Sequence, residues 1–79
     1  NREMFLEWIV KAGGRPVVNG AVRPGDLAVW KFGRTYSHGG VLVGGDNVVH
    51  AYLGAGVIET SRHEEPLASR PAMFFTLWG

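Results

Sequence analysis

No cysteine occurs among the 79 residues. That excludes a disulfide scaffold, a thiolate metal site and a cysteine nucleophile within this stretch of chain. Long hydrophobic runs are missing as well. The longest, Ala72 to Leu77 with Thr76 inside it, falls far short of the ~20 apolar residues a membrane helix needs, so no membrane span is expected. Nor does charge of one sign accumulate: eight Lys and Arg stand against seven Asp and Glu. The basic residues are spread along the chain, and only Lys31 and Arg34 sit close together. Binding by phosphate neutralisation needs clustered cations, so no nucleic-acid partner is expected. Charged residues reach only 19%, below the ~25% of an average domain, so less of this chain than usual is built to face water.

What is present is a hydrophobic fraction of 46%, ordinary for a globular protein and too high for disorder. A chain of this length makes one domain, or part of one, over residues 1–79, with a thin core. It opens on Asn1 with no initiator methionine, which reads as a piece of something longer. The lack of a targeting segment therefore carries no information about location.

Phe5, Trp8, Ile9 and Ala12 recur at the spacing that lines one face of a helix, with Met4 beside them. Asn1 can serve as N-cap, and Glu3 suits the first turn. Glu7 and Lys11 stand four apart, and Gly13-Gly14 supplies the C-cap. Residues 1–13 are thus expected to be helical, and Arg15 to Val22 to be a connector with a turn at Asn19-Gly20. From Pro24-Gly25, a type II turn signal, strands are expected at Leu27–Phe32, Tyr36–Val43, Val48–Leu53, Val57–Thr60 and Met73–Trp78. The turns between them are Gly33-Arg34-Thr35, Gly44 to Asn47 and Gly54-Ala55-Gly56. Ser61-x-x-Glu64 resembles a capping box, and Pro66 limits any helix after it to about one turn. The expected fold class is α+β: an N-terminal helix followed by a five-stranded antiparallel meander over 24–79, barrel-like.

Histidine is the residue type whose ordinary pKa lies near neutrality, and the chain has three. His63 lies among Arg62, Glu64 and Glu65 and reads as a solvated loop residue. His38 and His50 lie inside strands beside small residues (Gly39, Gly40, Ala51) that leave an imidazole accessible, and they flank one hairpin. If its loop leaves an even number of residues unpaired, His50 opposes Val41 and the two histidines face opposite ways. If it leaves three, or carries a one-residue bulge at Gly44-Gly45, His50 opposes Gly40 and shares a face with His38. Two such imidazoles can act as a base and its orienter. As a metal site they are incomplete, because no Asp or Glu falls at a persuasive spacing. Asp26 and Glu59 read as a turn residue and a strand-end residue. Ser37, next to His38, points to the other face and cannot be its nucleophile.

Pro24-Gly25-Asp26-Leu27, a strand ending Trp30-Lys31-Phe32, then Ser37-His38-Gly39-Gly40-Val41-Leu42-Val43 and Val48-Val49-His50-Ala51-Tyr52 resemble the C-terminal half of NlpC-type cysteine peptidases. These belong to the NlpC/P-sixty superfamily of cell-wall hydrolases with a papain-like core. Phe32-Gly33-Arg34 before Ser37-His38-Gly39, and His50-Ala51-Tyr52 after the hairpin, look most like the members of phage tails and gene transfer agents. The likeness runs from about Arg2 to Trp78, and it implies half of a papain-like core. It implies that His38 is the general base, that His50 orients it, and that neither metal nor cofactor is needed. The family's nucleophile is a cysteine opening a helix upstream of everything present here, so the resemblance implies a base-bearing half without its thiol. The implied substrate is the peptidoglycan stem peptide. The implied partners are phage tail-tip proteins or the missing N-terminal half, and the implied setting is a phage tail at the bacterial wall. The alternative is a non-catalytic tail or wall-binding module using the aromatics Trp30, Tyr36, Tyr52 and Trp78.

Overall fold

A short amphipathic helix, α1 (Met4–Lys11), lies against one face of an antiparallel sheet. The computed structural model describes residues 4–52 and 56–78, and at Met4 and Tyr52 the backbone alone. Phe5, Leu6 and Ile9 turn inward, and Ile9 is fully buried with Leu27, Val29 and Phe75. Complete burial of such a side chain is worth about 1.5–3 kcal/mol. Trp8, expected on the same face, is 54% exposed and stacks its ring on that of Phe5. Ala12 is exposed too. The helix closes in a Schellman motif: Gly13, at φ +88°, donates to the Val10 carbonyl and Gly14 to that of Ile9. The proposed N-cap Asn1 and first-turn Glu3 lie outside the described residues.

The strands are β1 (Arg15–Val17), β2 (Leu27–Phe32), β3 (Thr35–Leu42), β4 (Asn47–Tyr52), β5 (Gly56–Ser61) and β6 (Ala72–Thr76). They form one sheet in the order β1-β6-β2-β3-β4-β5, with every pairing antiparallel. Alternation along each strand divides the apolar residues between two faces. Leu27, Val29 and Phe75 face α1. Ala28, Trp30, Leu42, Val48 and Phe74 form the second core, on the opposite face, closed by Leu67 from the segment that joins β5 to β6.

Here the structure corrects the expected fold. The molecule is a six-stranded antiparallel sheet with one short helix, not a helix followed by a five-stranded meander, and not half of a papain-like core. Two features make the difference. Arg15–Val17, read as connector, is a sixth strand. The last strand does not follow β5 across the sheet: it returns to lie between β1 and β2, pairing Phe75 with both Pro16 and Leu27. Only β2 to β5 form a meander. Its limits fall within a residue or so of those expected, and the Gly54-Ala55 part of the last turn lies outside the described residues. Ser61-x-x-Glu64 forms half of a capping box, in which the Glu64 carboxylate accepts from the Ser61 N–H at 3.2 Å, but turns follow rather than a helix. Among the described residues no helix is long and apolar enough to cross a membrane.

Candidate functional site: a histidine pair on an aromatic floor

The β3–β4 register decides between the two arrangements left open above. Gly40 pairs with His50, Val41 with Val49 and Leu42 with Val48, and the Val43 N–H donates to the Asn47 carbonyl at 2.8 Å, so three residues, 44–46, make the turn. Its conformation suits its composition, with Gly45 at φ +71° and Asp46 at φ +64°. Asp, like Asn, tolerates that left-handed region better than most residues. Trp30 pairs with His38 and Ala28 with Gly40, which puts both histidines on the face of the second core.

There His38 Nε2 lies 2.8 Å from His50 Nδ1, with the two rings nearly perpendicular at 80°. Gly40 makes this approach possible. A β-carbon there would come within 2.6 Å of Val48 Cγ2, 2.9 Å of the Val49 carbonyl oxygen and 3.1 Å of His50 Cβ. Beneath the pair the Trp30 ring centre is 6.0 Å from that of His38 and 6.4 Å from that of His50, and Phe32 is 5.2 Å from His38. This apolar floor strips water from the rings: His50 is buried and His38 half-buried. Burial pulls the His38 pKa below its usual 6.5, and the charge of His50 pulls it further. Burial alone lowers that of His50. Both rings are therefore neutral at pH 7, and their shared hydrogen bond has one donor and one acceptor.

Sequence reasoning missed a third member. His50 Nε2 lies 2.9 Å from Thr60 Oγ1, on β5. Val48 pairs with Thr60 and His50 with Ile58, so Thr60 is the diagonal neighbour of His50 on the same face. A threonine in a strand is unremarkable by type, and the β4–β5 register was the signal that could have singled it out.

The remaining candidates lie elsewhere. His63 is exposed, with Nε2 3.4 Å from Asp46 Oδ2. Asp46 is held below the usual carboxylate range first by its hydrogen bond from Arg62 and then by that from His63. Asp26 is buried and accepts from the Arg23 N–H at 2.9 Å. Glu59 lies within β5 rather than at its end and accepts from Asn47 Nδ2 at 2.9 Å. Ser37 is the extra residue of a bulge opposite Trp30 and Lys31. Of the aromatics assigned to a binding surface, Trp30 is buried, Tyr36 half-buried and Trp78 exposed, while the Tyr52 side chain lies outside the described residues. A cleft of about 410 Å³ opens between the sheet and the segment before β6, lined by Trp30, Arg62, Leu67, Arg70 and Phe74 among others. Neither His38 nor His50 lines it, but the Trp30 side chain serves both places.

The N···N distance bears on metal binding. Two nitrogens on one tetrahedral zinc, with bonds of about 2.05 Å, sit roughly 3.3 Å apart. His38 and His50 are closer than that and spend the facing nitrogens on each other. What the arrangement can do is share a proton: a protonated His38 donates through Nε2 to His50 Nδ1. No family model matches the chain, and no curated protein is significantly similar to it.

Proposed function

We propose that this chain supplies the general base and its orienting partner for a cysteine hydrolase acting on peptidoglycan stem peptides. The chain has no cysteine, so the thiol comes from outside these residues. In this reading His38 Nδ1 takes the thiol proton, and the imidazolium so formed donates through Nε2 to His50 Nδ1. The thiolate adds to the scissile carbonyl, and His38 returns the proton to the departing amine, leaving a thioester. Water then attacks the thioester with the same histidine as base, releasing the acid and the thiol. The observation that carries the reading is the 2.8 Å contact between two partly desolvated imidazoles. The motifs around them support the cell-wall substrate and a phage-tail setting.

The test is release of stem peptides from purified peptidoglycan by the protein together with its cysteine-bearing segment or partner. His38→Ala should lower the rate by about 10²–10⁴, the usual range for a general base, and thiol alkylation should abolish it. Full hydrolysis by the His38→Ala variant, or indifference to alkylation, would sink the proposal.

The absence of a cysteine also favours a second reading, a wall-binding module without catalysis. Among the described residues, Trp8 and Trp78, 54% and 56% exposed, are the aromatics that face solvent most openly. Retention on insoluble peptidoglycan that survives His38→Ala but falls on Trp78→Ala, with no hydrolysis by any preparation, would select it.

A further inference from the structure

The cleft of about 410 Å³ between the sheet and the segment before β6 is walled by apolar side chains, Trp30, Leu67 and Phe74 among them. Among the described residues that line it are two arginines, Arg62 and Arg70, but no Asp or Glu. Pockets that hold small ligands run from about 300 to 1,000 Å³ and combine an apolar wall with a few placed polar groups.

The two arginines differ. Arg62 is engaged by Asn19 and Asp46, and the Asp46 carboxylate offsets its charge. Arg70 is exposed, and its guanidinium stands 4.3 Å over the centre of the Phe32 ring. Among the described residues it has no ion pair. The carboxylates of its own segment face other donors: Glu64 accepts from the Ser61 N–H, and Glu65 from the Ser69 N–H and hydroxyl. The backbone here is fixed on both sides. The Arg70 N–H donates to the Leu67 carbonyl at 3.1 Å, and the Pro71 carbonyl accepts from the Lys31 N–H at 2.9 Å. Stacking on a ring holds a guanidinium in place and leaves its N–H edge able to donate. Such a planar fork suits a carboxylate, which it meets with two parallel hydrogen bonds.

We propose that the cleft is a binding site for a short peptide with a free carboxylate, held by Arg70 with the adjoining side chain against Leu67 and Phe74. A cationic ligand would meet like charge, and inorganic phosphate would gain little from the apolar wall. The site neighbours the histidine pair. Phe32, under Arg70, is 5.2 Å from His38, and Trp30 both lines the cleft and floors the pair. A ligand anchored at Arg70 is therefore one aromatic ring away from the imidazoles. That this peptide is the wall stem, whose D-alanine end carries such a carboxylate, rests on the hydrolase reading.

The experiment titrates N-acetyl-D-alanyl-D-alanine into the protein and follows the backbone amide NMR signals, with the C-terminal amide of the same peptide as the uncharged control. The wild type should bind the acid at least about tenfold more tightly than the amide, because charge-assisted hydrogen bonds go with the carboxylate. The shifting signals should centre on the cleft residues from Arg62 to Phe74. Arg70→Gln should bind acid and amide equally weakly. No binding of the acid, equal binding of the two by the wild type, or discrimination that persists in a folded Arg70→Gln overturns the proposal. Should Arg70→Gln fail to fold, the Arg70 side-chain Nε–H signal decides: it moves with the acid and not with the amide, or the proposal fails. N-acetyl-L-alanyl-L-alanine separates the sources. Tighter binding of the D form supports the stem peptide, and equal or tighter binding of the L form overturns that assignment. Hydrolysis is a separate readout. Binding of the acid by a protein that never cleaves peptidoglycan removes the hydrolase reading and leaves the site; cleavage by a protein that does not tell acid from amide does the reverse.

Discussion

The ring of Phe5 occupies the space over Gly39 that a β-carbon would fill, with Cε2, Cδ2 and Cζ all inside contact distance of that point. This is the seat of α1 on β3. Gly39→Ala should lift the ring and loosen the helix, destabilising the protein by about 1–3 kcal/mol, as overpacking does. Urea unfolding of the variant checks this. Phe5→Ala in the same background should recover part of the loss, because it removes the clashing partner.

Acid should weaken the protein earlier than its carboxylates alone would cause. His38 and His50 both have folded pKa values below the usual 6.5. Below pH 6.5 the unfolded chain therefore binds protons that the folded one refuses. Their contribution is complete above that pH, and is lost as pH falls through the two folded values. Asp46, also lowered, acts in a separate window beneath its ordinary 3.8. Stability measured between about pH 7 and 5 should fall, and His50→Gln with His38→Gln should flatten that slope. If the hydrolase reading holds, the acid limb of the rate profile should likewise lie below 6.5.

Arg62 ties three segments together. Its guanidinium donates to Asn19 Oδ1 at 2.6 Å and to Asp46 Oδ1 at 3.1 Å, and lies over the Phe74 ring at 5.2 Å. The side chain is only 11% exposed. Arg62→Ala should cost on the order of 1–3 kcal/mol through lost packing and hydrogen bonds. Arg62→Lys should recover little, since an ammonium cannot reach both oxygens and the ring. Thermal melts of the two variants provide the comparison.

The face that carries α1 is left partly bare beyond the helix. Val41 pairs with Leu27 and with Val49, which puts these residues on that face, and Val57 lies opposite Ala51 two strands away. Val41 is 42% and Val57 74% exposed. The native protein should bind a hydrophobic dye, and Val57→Lys should reduce that binding with stability changed by no more than about 0.5 kcal/mol. Equal dye fluorescence in wild type and variant would place the bare surface elsewhere.

Much of the fold was legible wherever a pattern was local. Leu27 to Phe32 is apolar but for Lys31 and bounded by Pro24-Gly25 and Gly33, and its limits match β2. The hairpin between His38 and His50 was legible from its glycines, though not its register, because odd and even loops of that composition are equally plausible. Arg15-Pro16-Val17 escaped because three residues show no periodicity and Pro16 argues against a strand. It is tolerated because β1 is an edge, where a missing N–H faces no partner. The place of β6 could not be read locally, since pairing with β1 and β2 is a long-range choice made by Phe74 and Phe75 filling two cores at once. Trp8 fitted the helical spacing, but packing with Phe5, Leu6 and Ile9 rotated it out.

The position of β6 also separates the local contacts of the fold from the long-range ones. The β3–β4 hairpin that brings His38 to His50 is local and can close as soon as residues 35–52 are free to meet, at small cost in chain entropy. The rest must wait. Phe75 completes the core under α1, Phe74 completes the one under Leu67, and the strand that carries both also gives β1 its only pairing among the described residues. Both faces of the sheet thus remain unfinished until the same five residues dock. The two histidines thus meet through a local turn, while the core on their face is completed by Phe74 from the last strand of the sequence.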